Sequence, residues 1–454
     1  MTQTLFRPAN EAQRLALSDA CGAGEFRSWL SWISQLNSEG SAPMKRIGLV
    51  CLGLALGAAS TVHAQGLTMQ MSNGWNFTFA GNVNAFFIYQ QSKALTAPNT
   101  FTTSGKDLSV GTGLLPAFAV FEAKGKEENV DLGVHFGFAP QVETGGHFAS
   151  FFGDQAAGAQ IDMRQVYLTA GGTWGSLLIG KELGVYQRGN ILTDMTLLGV
   201  GVGGGGRGTA LGRIGYGYLY TDFRPQLTYT SPSGKDVSLS IGLFEGIAEG
   251  RYDVVELPRL EAEVNYNSKF GENSSFKFFL NGAVGSAKDA VTGPSNTLTS
   301  WGGGAGFTVD ASGFNLTGSG FYANGMGSLF MGDAFLGTGR LGSDGVSSVA
   351  DASGKFKGRN SFGYIGQLSY APPGSKFMIG GSFGENHLKQ TSEEKTASGT
   401  TSEILKRRAI IGQVTYKWTK SLRWVAEYGH IDGYTLGTKT SKSDQGSLGM
   451  MLFF

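Results

Sequence analysis

The sequence predicts an all-β protein: a single antiparallel transmembrane β-barrel of about sixteen strands, with short periplasmic turns, long extracellular loops and one long loop folded inward. Three observations predict it. Segments of about nine to eleven residues, the length a tilted membrane strand needs, recur from Trp75 to Phe454 with one apolar and one polar parity. The gaps between them alternate short and long, as they do when one rim of a barrel carries turns and the other loops. Finally, glycine (72) and phenylalanine (31) are abundant while charged residues are only 16%, below the usual quarter. With a mean hydropathy of −0.07, that mixture fits strands wetted on one face better than apolar helices.

Net charge is +1 over 454 residues, so composition gives no pull toward nucleic acid. The first segment with a recognisable role is 44–64, MKRIGLVCLGLALGAASTVHA. Lys45 and Arg46 precede an apolar run, and Val62-His63-Ala64 offers small residues for cleavage near Ala64. It reads as a secretory signal peptide. The run is too short for a comfortable membrane anchor, and Cys51 lies too close to the basic pair for a lipoprotein site. Residues 1–43 then read as an untranslated or disordered extension created by an early start codon, the alternative being a real extra N-terminal region. Residues 65–454 form the barrel. Both cysteines, Cys21 and Cys51, fall before the cleavage point, so the exported chain is held by packing and hydrogen bonds alone.

Along that chain the segments fall at 75–91, 113–124, 130–138, 161–171, 176–184, 221–230, 237–244, 259–267, 275–284, 301–310, 314–324, 360–371, 376–386, 406–418, 422–432 and 444–454. The gaps at 125–129, 172–175, 231–236, 268–274, 311–313, 372–375 and 419–421 are the short ones. Parity assigns faces. Val130, Leu132, Val134, Phe136 and Phe138 share one, with His135 on the other. Leu260, Ala262, Val264 and Tyr266 alternate with Arg259, Glu261 and Glu263, which are expected to face the lumen. Trp174, Tyr229, Tyr266, Trp301, Tyr370 and Trp418 sit at segment ends, as interfacial aromatics do. The last segment ends on Phe454, at the edge where the final strand closes on the first.

Between the segment ending near Gly184 and the one starting near Thr221 runs a glycine-rich stretch of roughly 35 residues, too long for an ordinary connection. It is expected to fold into the bore and narrow it. Its Gly203–Gly206 run has two readings, a backbone lying flat against the wall or a flexible tip. No lysine-serine pair follows and no βαβ context exists, which argues against a phosphate-binding loop.

In this region the chain resembles the trimeric general-diffusion porins of Gram-negative bacteria. MRQVYLTAGGTWGSLLIGKELGVY (163–186) looks like that family's fourth and fifth strands, LTDM (192–195) like the acidic start of its third, constricting loop, and GRIG (212–215) or FRPQLTYTSP (223–232) like its sixth strand with a wall arginine. The resemblance implies a water-filled channel for passive diffusion of small hydrophilic solutes and ions. Arg164 and Lys181 would stand on a basic wall facing Asp194, with Arg213 or Arg224 completing it. Parity favours Arg224, which alternates with Phe223, Leu227 and Tyr229. Arg164 shares the parity of Val166, Leu168 and Ala170, so a bulge or a face buried at a subunit interface is needed to turn it inward. The resemblance further implies outer-membrane lipid around the barrel, a homotrimer, Phe454 as a signal to the barrel assembly machinery, and no cofactor. Gly81, Asn82 and Asn84, small or polar on the first strand, agree with a packed subunit interface. Two departures weaken the expected field: no second carboxylate near Leu198, and Ala119-Val120-Phe121 where the family often has an arginine.

Two other functions were weighed. An outer-membrane enzyme needs a nucleophile, a base and an orienting group; His135, His147, His387 and His430 are scattered, with no such motif and no metal-ligand spacing. The Gly339–Asp351 loop offers at most a weak cation site. A substrate-selective channel for small organic ions should carry a charge excess in the lumen, whereas Arg259, Lys277, Arg407, Lys417 and Arg423 are balanced by Asp131, Glu261, Glu263 and Glu427.

Overall fold

The structure is a computed structural model that describes residues 66–95, 104–142, 161–203, 209–232, 236–247, 254–288, 297–330, 348–350, 356–392, 406–435 and 437–454, together with 234 and 395. The 44–64 and 1–43 assignments, His147 and nearly all of the Gly339–Asp351 loop lie outside them.

The wall is built of β2 (Asn76–Ala94), β4 (Phe118–Glu127), β5 (Val130–Pro140), β6 (Ile161–Gly172), β7 (Gly175–Leu183), β8 (Phe223–Thr230), β9 (Val237–Phe244), β10 (Arg259–Gly271), β11 (Ser274–Lys288), β12 (Thr297–Ala311), β13 (Phe314–Asn324), β16 (Asn360–Tyr370), β17 (Phe377–Leu388), β18 (Lys406–Lys417), β19 (Leu422–Thr435) and β20 (Thr438–Phe453). Each pairs antiparallel with the next, and β20 returns to β2, with Asn82 opposite Phe453 and Ala94 opposite Ser441. The result is a 16-stranded closed antiparallel barrel without a free sheet edge. Two shorter strands complete it. β1 (Leu67–Gln70) pairs with the start of β2 below the end of β20, and β3 (Gly105–Gly111) pairs with the upper half of β2 while β4 takes the lower half. β14 (Ser348–Ala350) and β15 (Phe356–Gly358) form a separate small hairpin.

The two faces of the wall have opposite chemistry. Val83, Phe87, Leu168, Ile179, Leu280, Leu368, Ile410 and Leu448 are exposed on the outside, while Glu261, Glu263, Asn281, Gln367, Gln413, Glu427 and Gln445 are buried on the inside. Alternation along a pleated strand produces this directly, because neighbouring side chains leave on opposite sides. Near one rim the outward aromatics pair across strands: Trp174 with Tyr229 at 6.4 Å, Tyr266 with Phe276 at 6.3 Å, Phe314 with Tyr370 at 4.3 Å, and Phe377 with Tyr416 at 4.7 Å. A ring of this kind suits the boundary between hydrocarbon and water.

Three sequence expectations change. The second segment, expected at 113–124, is split into β3 and β4. Residues between them leave the wall: Asn84 Nδ2 donates to Leu115 O, Asn82 Nδ2 to Pro116 O, and Gly113 N to Asn84 Oδ1. Asn82 and Asn84 are therefore buried, inward-facing brackets and offer no support for a subunit interface. The final gap, expected near 433–443, is a hairpin with Thr435 opposite Thr438 and a bulge at Gly433. Its Thr-Lys-Thr-Ser-Lys-Ser sequence is polar on both parities, so no apolar face marked it as strand.

Candidate functional site: a loop bonded to the inner wall

The segment from Gly184 to Asp222 connects β7 to β8. It opens into a short helix, Arg188–Leu192, and a single turn, Met195–Leu198. Its bonds are to buried side chains of distant strands. Glu261 Oε2 accepts from Val185 N (2.8 Å) and Tyr186 N (2.7 Å). Glu263 accepts from Arg188 Nε (2.9 Å) and from Gly189 N (2.9 Å). Gln367 Oε1 accepts from Met195 N, Glu427 Oε2 from Val200 N and Gly201 N, and Gln445 Oε1 from Gly203 N. On the return path Asn386 Nδ2 donates to Tyr218 O, and Arg213 donates to Ala409 O at 2.8 Å. The stretch between β3 and β4 adds backbone bonds, Leu114 N to Gly199 O and Leu115 N to Leu197 O. Gln187 N also donates to Asn281 Oδ1 of β11, so these partners stand on β10, β11, β16 to β20 and beside β2, half of the wall's strands.

Apolar packing reinforces the bonds. Tyr186, Ile191, Leu197, Ile214, Tyr218 and Leu219 of the loop form one cluster with Ala283, Phe321 and Ala323 of the wall. Leu198, Val200 and Ala210 form another with Phe86, Val425, Met451 and Phe453. Burying each such side chain contributes about 1.5–3 kcal/mol, so the segment is a packed element. Backbone proximity explains one glycine in particular: a Cβ on Gly199 would stand 2.1 Å from Glu427 Oε1. We expect Gly199→Val to displace the loop and raise open-channel noise in single-channel recordings, with barrel formation in detergent unchanged.

Each sequence-predicted residue has a definite place. Asp194 is buried inside the loop, where its carboxylate accepts from Thr196 N and Thr196 Oγ1 (both 2.8 Å), Arg213 N (3.2 Å) and Tyr218 OH (2.6 Å). Arg213 is fully buried beside it. Burial pushes the Asp194 carboxyl up and draws the Arg213 guanidinium down to about 10. A carboxyl raised in the folded loop stabilises docking most at low pH, and that contribution is lost as pH rises through the raised value. Open-channel noise should therefore increase as pH rises from the acid range, and Asp194→Asn should flatten the dependence.

Arg164 turns inward through a bulge. Gly137 pairs with Gln165 and Phe138 with Met163, leaving Arg164 as the extra residue. Its Nε donates to Asp162 Oδ2 at 2.7 Å and its guanidinium lies 5.5 Å from the Phe223 ring centroid. Arg224 is on the inward parity of Gln226 and Thr228, bonded to Asp222 Oδ2 (3.2 Å) and to Glu245 O. Lys181 follows the outward parity of the exposed Leu177 and Ile179, and its Nζ donates to Met163 O at 3.1 Å; Glu182 takes the adjacent inward position, accepting from Gln165. Arg259, Glu261 and Glu263 are buried on the inner face, with Arg259 Nε 2.9 Å from Glu261 Oε1. Phe454 exchanges both backbone bonds with Gly81 and lies 5.3 Å from the Phe79 ring. The structure thus joins Asp194 with Arg213 and places Arg164 and Arg224 on the inner face of neighbouring strands β6 and β8, while Lys181 stands apart.

Sequence reasoning missed the loop's receptors Asn281, Gln367, Asn386 and Gln445. A signal was present: Phe278-Phe279 and Ile410-Ile411 are apolar on both parities. The inward members, Phe279 and Ile411, are buried, Ile411 in a cluster with Val202 and Leu211 of the loop. Among the described residues no group of three or more His, Cys, Asp or Glu side chains could hold a metal. His135 stacks on Tyr167 at 4.5 Å, and His387 and His430 pair with carboxylates.

No family model matches the chain, and no curated protein matches it. Solved structures do. An outer membrane channel, DcaP of Acinetobacter baumannii, is 14% identical with a TM-score of 0.62, covering 85% of this chain and 99% of that one. An anion-selective porin from Comamonas acidovorans is 12% identical with a TM-score of 0.55, covering 84% and 100%. OmpT of Vibrio cholerae is 13% identical with a TM-score of 0.51, covering 85% and 99%. At such identities the likeness is one of architecture, and on that ground the chain has the fold of the outer-membrane porins and channels.

Proposed function

We propose that the protein is an outer-membrane porin, a water-filled channel for passive diffusion of ions and small hydrophilic solutes. The reading is carried by one observation: a closed 16-stranded sheet, apolar outside and polar inside, too wide for its own side chains to fill. The Gly184–Asp222 loop lies across the bore and narrows it, with the long connections at the cell surface and the short turns in the periplasm. Because the loop's bonds run to β10, β11 and β16 to β20, the free passage follows the opposite wall, β4 to β8. Lys124, Arg164, Gln165 and Arg224, all partly exposed, line that side.

Selectivity follows from pairing. Arg164 and Arg224 each hold a carboxylate two residues earlier, Asp162 at 2.7 Å and Asp222 at 3.2 Å. Fields from such close pairs cancel within a few ångströms, and salt screens what remains. Asp194, engaged inside the loop, acts as its keystone. A general pore with weak ion preference is therefore favoured over a dedicated organic-ion channel. A subunit interface, and with it the homotrimer, rests on the architecture the chain shares with porins.

Planar-bilayer recording tests this. Conductance should rise with salt without saturating, and the reversal potential in a salt gradient should stay near zero. Arg164→Ala, which strips Asp162 of its partner, should move the reversal potential toward cation preference. A conductance that saturates with one solute would favour the selective channel; no conductance at all would end the porin reading.

A further inference from the structure

Four arginines beside the loop each hold a carboxylate: Arg164 with Asp162, Arg188 with Glu263, Arg224 with Asp222 and Arg259 with Glu261. Arg423 does not. It follows the short turn at 419–421 and takes the inward parity of Val425 and Glu427 on β19. The residue is only 6% exposed. Among the described residues it donates no hydrogen bond and makes no ion pair, and its guanidinium lies 5.1 Å from the Phe453 ring centroid.

The surroundings of Arg423 sharpen the want of an anion. Met451 of β20 stands directly opposite on one side and Lys417 of β18 on the other. Val425, Met451 and Phe453 belong to the buried apolar cluster that includes Phe86, so that side offers no water. Lys417 has a contact of its own, and like charges directly opposite one another destabilise a sheet. The inward carboxylate of the same strand, Glu427, is four residues on and committed to Val200 N, Gly201 N and Gln413 Nε2. Arginine keeps its charge at any ordinary pH. A ring face attracts it less than burial of an unpaired ion costs, so Phe453 alone does not compensate it.

We infer that Arg423, with Lys417 and the buried Thr415 beside it on β18, forms a site just inside this mouth of the barrel for a small resident oxyanion. The planar fork of a guanidinium matches two oxygens of a sulfate, phosphate or carboxylate, and such bidentate bonds are the strong ones. Held there, the anion screens two cations that face each other across strands. It acts as a structural counter-ion for β18 and β19, next to the strand that closes the barrel. The inference rests on the porin reading only for naming this mouth the periplasmic one.

The test is equilibrium dialysis of the full-length mature protein, in a neutral detergent at low ionic strength, against radiolabelled inorganic sulfate. The parent should bind one sulfate per chain, and Arg423→Gln should bind it roughly tenfold to a hundredfold more weakly, as expected for losing charge-assisted hydrogen bonds. Arg423→Lys, which keeps the charge without the fork, should fall between them. Lys376→Gln, on a neighbouring exposed turn, should bind as the parent does. Competition by acetate and by inorganic phosphate identifies the resident as carboxylate or tetrahedral oxyanion, according to which displaces the label better. Displacement by neither, equal displacement by chloride at the same concentration, or undiminished binding by Arg423→Gln would each overturn it. Sulfate should also raise the unfolding temperature of the parent more than that of Arg423→Gln, a comparison that removes its general effect on burial; equal rises count against the site. A gel shift on heating confirms that the variants are folded. Conductance of the same preparation separates the two ideas: a protein that conducts but binds no sulfate defeats this inference alone.

Discussion

Replacing Glu427 with leucine should turn a quiet channel into a flickering one of larger mean conductance, and adding Glu261→Leu should complete the release. The two carboxylates receive four loop N–H groups, those of Val185, Tyr186, Val200 and Gly201, at 2.7 to 2.9 Å. Each donor left facing an apolar side chain costs about 1–3 kcal/mol, so the pair removes a total comparable to the stability of a small domain. Glu427→Leu is the cleaner variant, because Glu261 also partners the buried Arg259. Glu427→Gln keeps one acceptor oxygen and should stay close to the parent. Single-channel recording checks all three. Unchanged conductance in the double variant would mean that the loop does not limit the passage.

Removing Phe454 should abolish most of the folded barrel. Gly81 N donates to Phe454 O at 2.9 Å and Phe454 N to Gly81 O at 3.0 Å, and this exchange lies where β20 ends and β1 takes over as partner of β2. Without it both Gly81 groups lose their partners at an apolar surface, roughly 2–7 kcal/mol for each in the limit of no replacement bond, and the seam is open at one end. The fraction of heat-modifiable protein refolded into detergent reports the outcome. Phe454→Trp keeps the backbone pair and an aromatic ring against Phe79, and should fold. If the truncated chain refolds as well as the parent, the seam does not depend on its last residue.

Much of this architecture was legible because a membrane barrel imposes its rule on every strand. β9 and β13 begin and end where the alternation of Val237–Phe244 and Phe314–Asn324 places them. The rule fails wherever its premise fails. Above the hydrocarbon both faces meet water, so 438–443 carried no strand signal. Around Gly113–Pro116 the chain leaves the wall, and alternation cannot indicate where a strand detaches.

The candidate site was only half legible for a related reason. Parity gave the inward positions of Glu261, Glu263 and Arg224, since that needs only a strand and its register. It could not give what those side chains meet. Arg164 reads as outward until the bulge at Gly137–Phe138 shifts the pleat by one residue, and Lys181, placed on the basic wall by the resemblance alone, shares the outward parity of Leu177 and Ile179 on its own strand. Asp194 and Arg213 are separated by a stretch of loop whose crossing no local pattern dictates. By itself the sequence determined the number of strands, their faces and the length of the loop, because these follow from local periodicity against two solvents. Only the tertiary structure decided which strands receive the loop and which carboxylates hold it, because those contacts join residues far apart in the chain through packing and bulges that periodicity does not encode.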